Sequence, residues 1–196
     1  MARTTSDKRA AGRPSPPAVA VVVSRYNGSV TSRLLEGALG AYRAAGGDER
    51  TVTVVDAPGS FELVALCNAA ARTGRFGAVV ALGCIIKGET EHDRYIAHAV
   101  SEGLARITVE TGVPIAFGVL TVNTPEQARE RAGGAVGNKG AEAMDAALVT
   151  AAGIRALEEG TVLPRYAASL PDKAGANGAV RRRVVGRGAA RRRGTR

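Results

Sequence analysis

The chain has 196 residues, of which 45% are hydrophobic, and a formal net charge of +9. This length suits one domain with flanking segments, and the hydrophobic fraction permits a buried core. The charge argues against a basic nucleic-acid-binding domain, because residues 1–17 carry +3, residues 181–196 carry +8, and −2 remains for residues 18–180. Nucleic acid could be contacted only through the basic tail, whose composition is more typical of a disordered, solubilising extension.

The two cysteines, Cys67 and Cys84, lie in apolar runs without the spacing of a metal site. They are predicted to be buried, reduced thiols in a cytoplasmic protein. The apolar run at residues 18–23 is far too short to span a membrane, and the first residues lack the apolar region of a signal peptide. No membrane association is therefore predicted.

The hydrophobic pattern alternates strands with helices from residue 18 onward. Residues 18–23 and 51–55 are apolar, β-branched runs, typical of parallel strands that are buried on both faces. A helix is predicted between them over residues 30–45, where apolar residues recur at helical spacing. A second helix is predicted to start at Ser60 as its N-cap and to reach Arg72.

The remaining predicted elements continue this alternation. The short helix among them opens with the capping-box pair Thr124 and Gln127. The predicted elements are a strand over residues 78–86, a helix over 91–110, a strand over 114–120, a short helix from Thr124 to the Gly133-Gly134 pair, and a helix over 138–157.

Strands without polar alternation, each followed by a helix, predict an α/β fold. The architecture expected is a three-layer α/β/α sandwich around a four-stranded parallel sheet. The domain is predicted to span residues 18–158. Residues 1–17 are predicted to be a disordered arm, and the arginine-rich residues 159–196 a disordered tail.

The stretch after the third predicted strand carries the most chemistry. Gly88, Glu89 and Thr90 at a helix start offer free backbone N–H groups and the positive end of the helix dipole, which suit a phosphate group. His92, in the first turn, is a side chain that exchanges protons near neutral pH. An ordinary capped helix and an exposed histidine are the alternative interpretations. His98 is interpreted as an ordinary helix residue.

The other loops that follow strands should meet this stretch, because the carboxyl ends of parallel strands share one edge of the sheet. Tyr26 can stack on a flat ring or cover the sheet edge. The amides of Ser60 and Phe61 can face a ligand, or belong to a turn with a core phenylalanine. Arg131 and Lys139 flank a glycine-rich turn and can bind an anion or be solvated helix ends.

Several motifs are absent from the sequence. It contains no Walker A loop, no G-x-G-x-x-G after a strand, no nucleophile elbow and no set of residues with metal-ligand spacing. Neither a metal site nor a cofactor is therefore predicted.

Five short segments occur in a specific order and spacing. They are Ser24-Arg-Tyr-Asn27, Pro58-Gly-Ser-Phe-Glu62, Leu82-Gly-Cys-Ile-Ile-Lys-Gly-Glu-Thr-Glu-His92, Val113-Pro-Ile-Ala-Phe-Gly-Val-Leu-Thr121, and Glu126-Gln-Ala-Arg-Glu-Arg-Ala-Gly133 followed by Gly137-Asn-Lys-Gly140. Together they resemble the lumazine synthase family, over about residues 18–157. The resemblance implies a flavodoxin-like fold and a reaction that needs no metal or organic cofactor.

The resemblance also implies a reaction in riboflavin biosynthesis. A pyrimidine, 5-amino-6-(D-ribitylamino)uracil, condenses with a sugar phosphate, 3,4-dihydroxy-2-butanone 4-phosphate, to give 6,7-dimethyl-8-ribityllumazine, phosphate and water. Two other functions are compatible with the same fold: a shell or scaffold protein without activity, and a binding module for a flavin or a lumazine. The presence of both His92 and Arg131 favours the enzyme.

Each position that matches the family has an implied role. His92 is the implied proton-transfer residue. The implied substrate contacts within one subunit are Tyr26 stacked on the pyrimidine, Gly59, Ser60, Phe61 and Glu62 along the ribityl chain, Cys84, Ile85 and Ile86 beneath the pyrimidine, and Gly88, Glu89 and Thr90 at the phosphate. The contacts implied from a neighbouring subunit are Phe117, Lys139 and Arg131, of which the last pairs with the phosphate.

The same resemblance has implications for assembly, and the sequence differs from the family pattern at a few places. Family members are homopentamers, some of which form sixty-subunit icosahedral shells, and riboflavin synthase is the implied protein partner. Residues 133–139 lack the short insertion that accompanies pentamer-only forms, so a shell is compatible with this sequence. The chain departs from the family pattern at Asp93-Arg94, where an aromatic residue is usual, at Val64, where proline is common, and in its tail beyond residue 160.

Overall fold

The structure, a computed structural model, describes residues 15–161, so most of the predicted arm and tail lie outside the described residues. Its centre is a sheet of four parallel strands: Val19–Ser24 (β1), Val52–Ala57 (β2), Ala78–Ile86 (β3) and Ile115–Val122 (β4). They lie in the order β2-β1-β3-β4. Val19 is opposite Val52 and Ala78, so β1, β2 and β3 begin at the same level of the sheet. Because the strands are parallel, their carboxyl ends lie at one edge of the sheet.

Helices cover both faces of this sheet, which confirms the predicted three-layer α/β fold. Helices Gly28–Ala44 (α1) and Lys139–Glu158 (α5) pack on one face, and Leu63–Arg72 (α2) and His92–Thr111 (α3) pack on the other. The short helix Pro125–Arg131 (α4) follows β4. None of the helices in the described part of the chain is both long and apolar enough to cross a membrane.

The core consists of small aliphatic side chains on both faces of the sheet. On one face Val21 packs with Leu34 of α1 and Met144 of α5, and on the other Val22 packs in a cluster with Leu63 of α2. All of these side chains are fully buried. Burying each one stabilises the fold by about 1.5–3 kcal/mol relative to exposure, so the two layers fix the positions of the strand ends.

The structure differs from the sequence predictions in three places. The prediction that Ser60 caps the second helix is wrong, because α2 begins at Leu63. A 3-10 turn, Glu49–Thr51, precedes β2 and was not predicted. A hairpin of two very short strands, Ala132–Gly134 (β5) and Gly137–Asn138 (β6), joins α4 to α5 where only a glycine-rich turn was expected.

The described chain is anchored where it enters β1. The hydroxyl of Tyr42, a fully buried residue, donates to the carbonyl of Pro17 at 2.9 Å and is hydrogen-bonded to the Thr51 hydroxyl at 2.6 Å. A Cβ on Gly77 would lie 2.6 Å from Cβ of Pro17, so Pro17 packs directly on the residue that precedes β3. The chain is therefore held at the amino edge of the sheet.

Both cysteines are free and buried, as predicted. Burial raises the pKa of the Cys67 thiol from 9.0 to about 12 and that of Cys84 to about 11. Both thiols are therefore protonated, poor nucleophiles at neutral pH. Within residues 15–161, no three histidine, cysteine or carboxylate side chains lie together as metal ligands do.

The raised pKa of Cys67 predicts a loss of stability in alkali. Above about pH 9 the unfolded chain releases the thiol proton, while the folded chain keeps it up to about pH 12. The free energy of unfolding should therefore fall by about 1.4 kcal/mol per pH unit for this thiol. Urea unfolding of the reduced wild type and of Cys67→Ala, from neutral pH upward, measures the difference. Equal pH dependence in the two proteins would contradict it.

Candidate active site

Four loops leave the edge of the sheet where the strands end, and they contain most of the predicted site residues. They comprise residues 25–27, 58–62, 87–91 and 123–124. Ladder-type hydrogen bonds continue into their bases, since the Arg25 amide donates to the Ala57 carbonyl and the Lys87 amide to the Val122 carbonyl, both at 2.8 Å. The bases of these loops are therefore fixed by the sheet.

The first loop holds an exposed aromatic ring. Asn27 has a φ of 59°, and its side-chain Nδ2 donates to the Cys84 carbonyl of β3 at 2.9 Å. This bond ties the loop to the neighbouring strand and leaves the Tyr26 side chain 71% exposed. Sequence reasoning assigned no role to Asn27. The Asn-Gly pair after a strand could have identified it, because asparagine tolerates the left-handed conformation.

The second loop packs Ser60 under the sheet edge and turns its neighbours outward. Ser60 is 8% exposed, and a Cβ on Gly83 of β3 would lie 2.9 Å from the Ser60 hydroxyl. Phe61 is 58% exposed, and Glu62 is exposed with a carboxylate that folds back beside Gly59. This loop therefore presents an aromatic ring and a carboxylate to solvent, while the position of Ser60 depends on the small size of Gly83.

The third loop presents a run of free backbone donors. The amides of residues 88–93 have no hydrogen-bond acceptor among residues 15–161. The space beside Gly88 is open, so a ligand can approach this backbone closely. His92 is exposed and is the first residue of α3. Free amides at the start of a 20-residue helix, with its positive dipole end, suit an anion.

The three residues predicted beneath the pyrimidine do not present one continuous side-chain surface. Cys84 and Ile86 belong to the core layer that contains α1, whereas Ile85 belongs to the layer that contains α2, because successive strand residues point to opposite faces. The Cys84 thiol is buried at 1% exposure. Contact between this strand end and a ligand would therefore involve its backbone and the edges of these side chains.

A second group of predicted residues lies together on the outer edge of the sheet. Phe117 of β4, Arg131 and Lys139 line one open cavity of about 420 Å³ between β4 and α5. Phe117 is 45% exposed. Nζ of Lys139 lies 2.7 Å from both carboxylate oxygens of Glu142. The Arg131 guanidinium donates only to the Gln127 carbonyl, at 3.2 Å, and has no carboxylate partner in the described chain.

The structure brings the predicted residues together as two groups and not as one. The cavity beside Phe117 includes none of the residues from the loops after β1, β2 and β3. β4 is an edge strand with no strand paired to its outer side in residues 15–161. One subunit therefore holds an amide-rich loop with a histidine on one surface and two cations with an aromatic ring on another.

Asp93 and Arg94, the two residues that differ from the family pattern after His92, line a smaller cavity of about 210 Å³. This cavity lies between the ends of β3 and β4 and the first turn of α3. Lys87 and Asn123 also line it. Arg94 is hydrogen-bonded to Glu91 at 3.3 Å. His92 is not among the residues that line this cavity.

Comparison with known proteins identifies close relatives. The family described as 6,7-dimethyl-8-ribityllumazine synthase matches residues 17–155. The chain is 52% identical over 130 residues to the 6,7-dimethyl-8-ribityllumazine synthases of two strains of Thermus thermophilus, covering 66% of this chain and 83% of those proteins. It is 48% identical over 125 residues to the protein of that name from Chlorobium phaeovibrioides, covering 64% of this chain and 81% of that protein.

Proposed function

The chain belongs to the 6,7-dimethyl-8-ribityllumazine synthase family, and we propose that two neighbouring copies of it build each active site. The enzyme is a transferase of riboflavin biosynthesis. It condenses 5-amino-6-(D-ribitylamino)uracil with 3,4-dihydroxy-2-butanone 4-phosphate and releases 6,7-dimethyl-8-ribityllumazine, phosphate and water.

One observation supports the shared site. The histidine and the free amides lie on one surface of the subunit, and Phe117, Arg131 and Lys139 lie in a cavity on another. Each surface alone lacks part of what two bound substrates need. A head-to-tail contact would place the β4 edge of one copy against the loops of the next. The cations and Phe117 of one copy would then complete the site that holds His92 and the free amides of the other.

The phosphate of the sugar substrate is bound by donors from both copies. The amides of Gly88, Glu89 and Thr90 offer N–H groups at the helix N-terminus, where the dipole favours an anion. Arg131 of the neighbouring copy adds a guanidinium that is free of carboxylate partners in the described chain. Two N–H groups of one guanidinium can bind a phosphate in a planar, bidentate fashion.

The pyrimidine and its ribityl chain occupy the space between the loops after β1, β2 and β3. Tyr26 stacks on the flat ring, which Phe117 of the neighbouring copy covers from the other side. The loop with Gly59, Ser60, Phe61 and Glu62 lies along the ribityl chain, whose hydroxyls suit the exposed carboxylate. The end of β3, residues 84–86, forms the floor through its backbone.

His92 moves protons during the reaction. Imine formation, loss of phosphate and ring closure each transfer a proton between atoms of the two substrates. A histidine in the first turn of α3, beside the phosphate loop, can accept and return such protons. Orientation of the two substrates in one pocket supplies most of the acceleration, because it converts an encounter in solution into a reaction between held partners.

The assembly that follows is a closed ring of identical subunits. Head-to-tail contacts that close form a ring, and the family resemblance indicates a homopentamer. The short connection from Gly133 to Lys139 is compatible with a sixty-subunit icosahedral shell built from such rings. Riboflavin synthase is the proposed protein partner, and the cytoplasm the proposed location.

A single assay tests this function. The purified protein is mixed with both substrates, and the fluorescence of 6,7-dimethyl-8-ribityllumazine is followed while phosphate release is measured in parallel. Product that requires both substrates is the expected result. A folded protein that releases neither product under conditions where a relative from Thermus thermophilus is active would contradict the proposal. Light scattering on the same sample would contradict the shared site if the active species were a monomer.

A further inference from the structure

We propose that Asn138 is a positioning residue that holds Arg131 and Lys139 in place for the reaction. The inference rests on the proposed function, because it concerns cations that are assigned there to the neighbouring copy's site. Asn138 lies at the end of β6, directly before Lys139 and α5. It touches no part of the cavity that those cations line.

The side chain of Asn138 bonds two separate elements at once. Its Nδ2 donates to the carbonyl of Arg33, in the second turn of α1, at 2.8 Å. Its Oδ1 accepts from the amides of Gly140 and Ala141, at 2.9 and 3.2 Å, and so caps α5. A capping residue needs only the second set of bonds, so the bond to α1 has another effect: it fixes where α5 begins relative to α1.

Two glycines make this contact close enough to be rigid. A Cβ on Gly37 of α1 would overlap the side-chain amide of Asn138. A Cβ on Gly140 of α5 would overlap the backbone carbonyl of Leu34 in α1. The start of α5 is therefore pressed against the backbone of α1, where only glycine fits.

The same residue is linked to Arg131 through its backbone. Asn138 is paired with Ala132 in the short hairpin, and Ala132 follows Arg131 directly. Arg131 therefore directly precedes the short strand that pairs with Asn138, and Lys139 directly follows Asn138. If Asn138 leaves α1, both cations move together relative to β4 and to the site that they complete.

The test separates positioning from capping by comparing two variants. Asn138→Ala removes both functions, whereas Asn138→Ser keeps an oxygen that caps α5 but is too short to reach the Arg33 carbonyl. We expect both variants to raise KM for 3,4-dihydroxy-2-butanone 4-phosphate about tenfold or more, because misplacing a binding group by an ångström has effects of this size. Only the alanine variant should lose much thermal stability.

Two controls make the result decisive. Asp48→Ala removes a cap from the 3-10 turn at the amino edge of the sheet, where the Asp48 carboxylate accepts from the Arg50 amide at 3.0 Å. It should lower stability without changing KM. Wild-type KM in Asn138→Ser would overturn the positioning role. Arg131→Ala separates failure of the proposed site from failure of the positioning role. An unchanged KM in Arg131→Ala contradicts the proposed site. A raised KM in Arg131→Ala together with a normal KM in Asn138→Ser contradicts only the positioning role.

Discussion

Replacing His92 with alanine is expected to slow turnover about a hundredfold, the lower end of the effect of a general acid–base group. The lower end is expected because orientation of the substrates remains in the variant. KM for both substrates should stay within about threefold of wild type, since the role proposed for His92 is proton transfer and not binding. Steady-state kinetics that follow product fluorescence measure both quantities.

The matched control for this variant is on the same helix. His98 is also exposed and makes no assigned contact with substrate. His98→Ala should have wild-type turnover, so an equal loss in both variants would point to damage to α3 and not to lost chemistry. Wild-type turnover in His92→Ala would refute its role in proton transfer.

Replacing Arg131 with alanine is expected to weaken the sugar phosphate specifically. Loss of a charge-assisted hydrogen bond to phosphate costs about 1.5–3 kcal/mol, so KM for this substrate should rise about 10- to 100-fold. KM for the pyrimidine should change little. Arg129 is the control, because it lies on the same helix and is hydrogen-bonded to Glu126 at 2.6 Å. Arg129→Ala should bind the phosphate substrate normally, and equal effects of the two substitutions would contradict a specific role for Arg131.

The two variants also test whether copies share a site. When His92→Ala and Arg131→Ala subunits are mixed at random in one ring, about a quarter of the sites take an intact His92 from one copy and an intact Arg131 from the next. At a sugar-phosphate concentration well below its KM in Arg131→Ala, where that variant is slow, activity should then rise well above that of either variant alone. Co-expression with two different affinity tags isolates the mixed rings. If each site lay within one chain, mixing would restore nothing.

The parts of the fold that were predictable are those with strong local patterns. The strand over residues 78–86 was predicted at its observed bounds, because a long apolar run between Gly77 and Lys87 has few other interpretations. Helix α3 was predicted from the spacing of Val100, Leu104 and Ile107, all of which are buried. These patterns are decided by residues close together in sequence.

The parts that were missed depend on contacts between distant segments. Ser60 resembles an N-cap in sequence, but its hydroxyl fills the space that Gly83 of a neighbouring strand leaves. Glu62 takes the N-cap position, and α2 starts two residues later than predicted. The β5–β6 hairpin has too few residues to show a strand period. It forms because Asn138 is held on α1, a contact with a residue 105 positions earlier in the chain.

The candidate site divides in the same way. The parallel direction of the strands was predicted from the alternation, so the meeting of Tyr26, Ser60 and the stretch from Gly88 to His92 at one edge was predictable. The face of the sheet to which Cys84 points was not predictable, because a strand that is apolar on both faces carries no alternation in its sequence. The separation of Phe117 from His92 within one chain was implied by the family resemblance and by no local pattern, since it depends on the free edge of β4.

The anchoring of Pro17 by Tyr42 has a practical consequence for protein engineering. Pro17 lies beside Gly77 at the end of the sheet opposite the proposed active-site loops, and its carbonyl is held by a buried hydroxyl. A purification tag or a fused reporter joined ahead of Pro17 is therefore attached about the length of a strand away from the proposed substrate site, roughly 20 Å for six residues. A fusion at this end is the design of choice for labelling the enzyme without blocking its chemistry.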